Sequence, residues 1–150
     1  MPSFSASIAL AVSLALSGAP SQPSNTTPTT TLTGFSESQT VEQYVRSYFA
    51  DEPVMAEIAK CESQFRQFGK DGKVIKNPGS TAVGVFQIMA SIHDEFADEK
   101  LGLDIYSLQG NAAYARYIFE RQGTKPWDAS KACWGKSQAY KDSQKVAVAK

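Results

Sequence analysis

Pro53-Val-Met-Ala-Glu-Ile-Ala-Lys-Cys-Glu-Ser63 and, about twenty residues on, Ala82-Val-Gly-Val-Phe-Gln-Ile88 are the stretches that decide the fold. Around the first, Asp51 offers an N-cap, Pro53 is tolerated in the opening turn, and Val54, Ile58, Cys61 and Phe65 recur at helical spacing. Gly69 supplies a stop signal, so the spacing predicts a helix carrying Cys61-Glu62-Ser63 near its end. The second stretch is β-branched and contains Gly84. It follows two turn signals, Asp71-Gly72 and Asn77-Pro78-Gly79, which bracket Lys73-Val-Ile-Lys76. Together these segments predict a small, irregular β-hairpin that is no core by itself.

Helices surround that excursion. Upstream, Val41, Tyr44, Val45, Tyr48 and Phe49 form the stripe of a helix packed on a core, and Thr40 with Gln43 matches a capping box. Downstream, Ser91 caps a short helix through His93 to about Lys100, and 101–105 reads as a connector. A longer helix is predicted from about Leu108 to Gln122, with Gly123 just past its end. Its apolar face is either Ala113 and Tyr117 with Glu120, or Ala112, Ala115 and Ile118. Trp127 to Trp134 reads as a short helix capped by Asp128, and 136–150 as a flexible tail without apolar periodicity. The fold class is mainly α (α+β), in a single domain over 40–135.

Fifteen Lys and Arg balance fifteen Asp and Glu in 150 residues. That composition is globular, and it excludes a broad electrostatic grip on nucleic acid or anionic lipid. None of the charged residues precedes Glu37. Residues 1–19 read as an export signal whose apolar run, Ile8 to Leu16, is too short to span a bilayer. The n-region has no Lys or Arg, so a disordered apolar leader or a misassigned start is the alternative. Residues 20–39 are rich in Ser, Thr and Pro and read as a disordered linker. The expected localisation is secreted or periplasmic, with no stable membrane span in the mature form.

Cys61 and Cys133 are the two cysteines of the chain, and an even count in an exported domain favours a disulfide over two buried thiols. One His and two scattered Cys do not make a metal-ligand set. His93 has no nucleophile beside it in sequence, and the glycines match no phosphate-binding pattern. Glu62 stands out as a carboxyl at a helix end near Phe65. In a partly apolar cleft such a group stays protonated near neutral pH and can deliver a proton. A solvated Glu at a helix end satisfies the same spacing. Gly84 permits close backbone approach, and Phe86 and Gln87 supply an aromatic wall and an amide. Tyr114, Tyr117, Trp127 and Trp134 are either stacking surface or core.

From about Pro53 to Trp134 this pattern resembles the soluble lytic transglycosylase domain of the lysozyme-like superfamily, with features of resuscitation-promoting factor domains. The resemblance rests on Glu62-Ser63 at a helix end, then Gly84-Val85-Phe86-Gln87-Ile88, then Asn111 opening a long helix. Cys61 directly before Glu62, a second Cys near the domain end, and Gln122-Gly123 ahead of Trp127 resemble the resuscitation-promoting factor variant. The transglycosylase Tyr-Asn-x-Gly segment is missing, Trp127 to Trp134 stands in its place, and Ile118 replaces an expected Tyr, with Tyr117 one position earlier.

The resemblance implies cleavage of the β-1,4 bond between N-acetylmuramic acid and N-acetylglucosamine in peptidoglycan, without metal or organic cofactor. Glu62 would be the catalytic acid and then base, and Ser63, Gly84, Phe86, Gln87, Asn111, Tyr114, Tyr117 and Trp127 would contact substrate. The partners implied are peptidoglycan glycan strands, with no nucleic acid, and the default state is a monomer. A two-carboxylate mechanism needs a second acid roughly 5 to 9.5 Å away, and Asp71 is the nearby candidate. The alternatives are a hydrolysing lysozyme and a non-catalytic glycan-binding module on the same fold.

Overall fold

The computed structural model describes residues 39–148; the expected export signal and all but the end of the linker lie outside them. The described residues form six α-helices, a 3₁₀ turn and a two-stranded antiparallel sheet: α1 (Val41–Tyr48), α2 (Pro53–Ser63), β1 (Ala82–Val83), β2 (Ile88–Met89), α3 (Ala90–Leu101), α4 (Leu108–Gln122), the 3₁₀ turn Lys125–Ser130, α5 (Lys131–Trp134) and α6 (Gln138–Val148). The architecture is therefore mainly α with one small β excursion. No helix of the described residues is long and apolar enough to cross a membrane.

Helix α1 begins at the expected capping box: Thr40 Oγ1 accepts from the Gln43 N–H at 3.2 Å, and Gln43 Oε1 accepts from the Thr40 N–H at 2.9 Å. Helix α2 starts at Pro53, but Asp51 does not cap it. Its carboxylate instead accepts from the Arg116 guanidinium at 2.7 Å, fastening α4 to the α1–α2 junction. Nor does α2 reach Gly69. Gln64 and Phe65 both take left-handed backbone (φ 56°), so the helix stops at Ser63 and Phe65 leaves its apolar stripe.

Helix α2 packs against α1, α5, α6 and the 3₁₀ turn, with Val54, Met55, Ile58 and Ala59 buried in the common core. Helix α4 spans the predicted residues and is capped by Ser107, whose side chain accepts from the Gly110 N–H. It buries Ala112, Ala115 and Ile118, the second of the two faces open on sequence. The hairpin is tighter than predicted. Ala82 pairs with Met89 and Val83 with Ile88 around a turn at 84–87; Lys76 joins by an isolated bridge to Val83, while Val74 bridges to Phe68. Helix α3 begins at Ala90, so Ser91 lies inside it; its N–H is capped by Thr81 Oγ1 at 3.2 Å.

Two C-terminal expectations are corrected. Trp127 to Trp134 is a 3₁₀ turn running into α5, and Asp128 caps neither. Residues 138–148 are not a loose tail but α6, started by Ser137, whose Oγ accepts from the Tyr140 N–H. The Tyr140 ring meets Trp134 edge-on at 5.1 Å, a contact that helps dock this helix.

Candidate active site

The end of α2 is tied to the hairpin by one buried hydroxyl. Ser63 Oγ lies 2.8 Å from the Val85 carbonyl and 3.1 Å from that of Ala59, and it accepts from the Arg66 N–H. Ser63 is buried, so it serves as a strut and presents no hydroxyl to a ligand.

Behind the hairpin turn sits a closed polar network. Gln67 Oε1 accepts from the Val85 N–H at 2.8 Å and its Nε2 donates to the Tyr106 carbonyl. Asn111 Oδ1 accepts from the Phe86 N–H at 3.0 Å, while its Nδ2 donates to the Val83 and Ile105 carbonyls. Both side chains are fully buried, and no buried side-chain polar atom of the described residues lacks a partner. Gly84 takes φ 72°, and a Cβ there would run into the Asn111 amide and come within 2.8 Å of Gln67 Oε1.

These contacts place several of the expected site residues in the interior of the domain. Gly84 admits neighbouring side chains of the same domain rather than a ligand. Asn111 is spent on backbone groups. Phe86, expected as an aromatic wall for substrate, is fully buried between Phe49 and Trp127, with ring centroids at 5.2 and 6.2 Å. Trp127 is 4% exposed and its Nε1 donates to the Phe86 carbonyl at 3.0 Å. Gln87 stays half-buried at φ 51°, its Nε2 donating to the Gly84 carbonyl. Tyr114 is buried and its hydroxyl lies 3.0 Å from His93 Nδ1; Tyr117, half-buried, stacks on it at 5.6 Å. His93 is half-buried, and burial pushes its imidazole below the usual histidine value.

Glu62, half-buried on the last turn of α2, has a different environment. Burial raises its carboxyl above the ordinary value of 4.5, and a hydrogen bond from Ser130 partly opposes the rise. No neighbouring charge contributes. Asp71, the candidate second acid, lies in an exposed turn where its Oδ1 accepts from the Lys73 N–H at 3.1 Å. The Ser130 hydroxyl donates to Glu62 Oε1 at 2.6 Å, and Trp134 Nε1 donates to Ser130 Oγ at 2.9 Å. Among the described residues Glu62 Oε2 makes no hydrogen bond, and since no partnerless polar atom of a half-buried residue is sealed off, Oε2 touches solvent.

The predicted disulfide closes this corner: Cys61 and Cys133 are bonded, with Cα atoms 6.0 Å apart across 72 residues. It joins the neighbour of Glu62 to the segment carrying Ser130 and Trp134. Ser130 is the member of the site that sequence reading missed, for an isolated serine 68 positions away carries no periodic signal.

Two grooves lie elsewhere. One of about 860 Å³ runs between Pro53, Phe119 and Gln144, and one of about 600 Å³ is lined by Ser91, Asp94, Glu95, Asp98 and Tyr106. Glu62 lines neither. No group of three or more His, Cys, Asp or Glu among the described residues is placed to hold a metal ion. Comparison with known proteins finds no matching family model, curated protein or solved structure.

Proposed function

We propose that this chain is an exported lytic transglycosylase on a lysozyme-like fold, cleaving the β-1,4 bond between N-acetylmuramic acid and N-acetylglucosamine with Glu62 as its single acid and base. The observation that carries this reading is the state of Glu62: a carboxyl made a weaker acid by burial, with no charged neighbour, held at one oxygen and open at the other. A general acid needs that combination, because it must be protonated before it meets the leaving oxygen.

In this scheme Glu62 gives its proton to the glycosidic oxygen as the bond to the muramyl anomeric carbon breaks. The resulting carboxylate takes the proton of the muramyl 6-hydroxyl as that oxygen attacks the same carbon, which closes a 1,6-anhydro ring and returns Glu62 to its acid form. One carboxyl completes the cycle, which suits a site where no second carboxylate acts on the first. Gln87 and Tyr117, half-buried, are the substrate contacts that remain from the expected set. The disulfide suits an oxidising compartment.

The test is digestion of purified sacculi by the wild type and Glu62→Gln, with products identified by mass spectrometry. The expected result is 1,6-anhydro muropeptides from the wild type and none from the variant. Reducing ends would assign a hydrolysing lysozyme instead. Release by neither protein, with binding to sacculi retained, would assign a glycan-binding module.

A further inference from the structure

Resting on that reading of Glu62, we propose that Ser130 is a positioning residue that divides the labour of the two carboxyl oxygens: Oε1 is anchored within the protein and Oε2 carries the proton that is delivered and recovered. The argument is a count of donors and acceptors. Ser130 Oγ has one hydrogen and two lone pairs. Trp134 Nε1, which can only donate, occupies one lone pair at 2.9 Å. The hydrogen has two acceptors in reach, Glu62 Oε1 at 2.6 Å and the Trp127 carbonyl at 3.1 Å, and the shorter contact is to Glu62. The Trp127 carbonyl is not abandoned, since Trp134 Nε1 also points at it from 3.2 Å.

An Oε1 that already accepts a hydrogen is the wrong place for the carboxyl proton, so the proton resides on Oε2, the oxygen in contact with solvent. When that proton leaves, the Ser130 bond becomes charge-assisted and strengthens, which steadies the carboxylate until it is reprotonated. The indole behind the serine polarises its hydroxyl in the same direction. The bond cannot drift, because Cys133, one residue before Trp134, is bonded to Cys61, one residue before Glu62.

Among the described residues no charged group on the elements packed against α2, Lys125 of the 3₁₀ turn and Lys141 of α6 included, forms an ion pair with Glu62. Arg46 of α1 pairs with Glu42 and Glu57, Lys131 of α5 lies 3.9 Å from Asp128 of the 3₁₀ turn, and Lys145 of α6 pairs with Asp142. Past the end of α2, Arg66 Nε donates to the Ser63 carbonyl. On the facing side, then, Ser130 and burial set the acidity of Glu62.

The experiment compares wild type, Ser130→Ala and Ser130→Thr by carbon-13 titration of the Glu62 carboxyl, assigned by its absence in Glu62→Gln, and by kcat and KM on sacculi across pH. Ser130→Ala is expected to raise the Glu62 pKa, move the alkaline limb of activity to higher pH, and lower kcat roughly tenfold or more with KM little changed. Ser130→Thr is expected to restore all three. In the wild type itself the Ser130 hydroxyl proton should exchange slowly and shift as Glu62 titrates, a readout that survives if Ser130→Ala does not fold. An unmoved carboxyl titration in Ser130→Ala, or a Ser130 proton indifferent to that titration, overturns the proposal. If the titration shifts as stated but the wild type releases no muropeptide, the assignment of Ser130 stands and the enzymatic reading falls.

Discussion

Asn111 holds Phe86 by its backbone: the side-chain carbonyl accepts the Phe86 N–H at 3.0 Å while the amide end reaches Val83 and Ile105. One α4 side chain thereby closes the hairpin turn and ties it to the loop before α4. The turn keeps the shape that brings Val85 over Ser63, and through Ser63 it meets the end of the helix that carries Glu62. The polar residues that looked like ligand contacts are the scaffold on which that helix end rests.

Asn111→Leu keeps the branched shape, with somewhat larger tips, but removes the bonds to the Phe86 N–H and to the Val83 and Ile105 carbonyls. At about 1 to 3 kcal/mol for a buried group left unpaired, a loss of at least 3 kcal/mol is expected. Urea denaturation at unchanged m-value measures it, and a loss under 1 kcal/mol would contradict the network. Gly84→Ala should cost a comparable amount, because its Cβ meets the same Asn111 amide and φ 72° adds strain.

Glu62→Gln should be more stable than the wild type at neutral pH. The folded carboxyl titrates above its ordinary 4.5, so its contribution to stability is fully present below 4.5 and is lost as pH rises through the folded value. The glutamine variant does not undergo that loss. Thermal unfolding from pH 4 to pH 8 should show the two proteins diverging as pH rises, with the variant higher; parallel curves would refute the buried-acid description.

His93 is the one histidine of the chain, so a proton–carbon spectrum follows it without ambiguity. Its imidazole should titrate below 6.5 because burial disfavours the charged form. The sign is opposite to that of Glu62: the stability tied to this group is present above 6.5 and is lost as pH falls through the folded value. A titration at or above 6.5 would mean that the Tyr114 contact opens in solution.

Replacing Cys61 and Cys133 together by Ala should lower stability by roughly 4 kcal/mol, the chain-entropy value for a loop of this length. Guanidinium unfolding of oxidised, reduced and double-variant protein gives the number. Agreement between the last two, both well below the first, is the expected pattern.

What was readable in the sequence follows from the range of each interaction. The capping box of α1, the bounds of α4 and the Cys pair rest on residue types whose signals are local or depend on counting. The early stop of α2 was invisible because it depends on Gln64 and Phe65 taking left-handed backbone, which neither residue type favours. Phe86, Asn111 and Trp127 were placed as ligand contacts because aromatic and amide groups serve a sugar site and a core equally well; burial alone decides between them. Helix α6 was missed because its apolar residues, Ala139, Tyr140 and 146–148, follow no clear helical stripe, and the contact that docks Tyr140 on Trp134 is tertiary.

The partner of Glu62 arrives 68 residues after it along the chain. During synthesis, helix α2 is made long before the hydroxyl that steadies its carboxyl, so an unfinished domain displays the acid without its anchor. Once the Cys61–Cys133 bond has closed, the late segment can no longer leave: loosening of the last helix does not carry the hydroxyl of the 3₁₀ turn away from the end of α2.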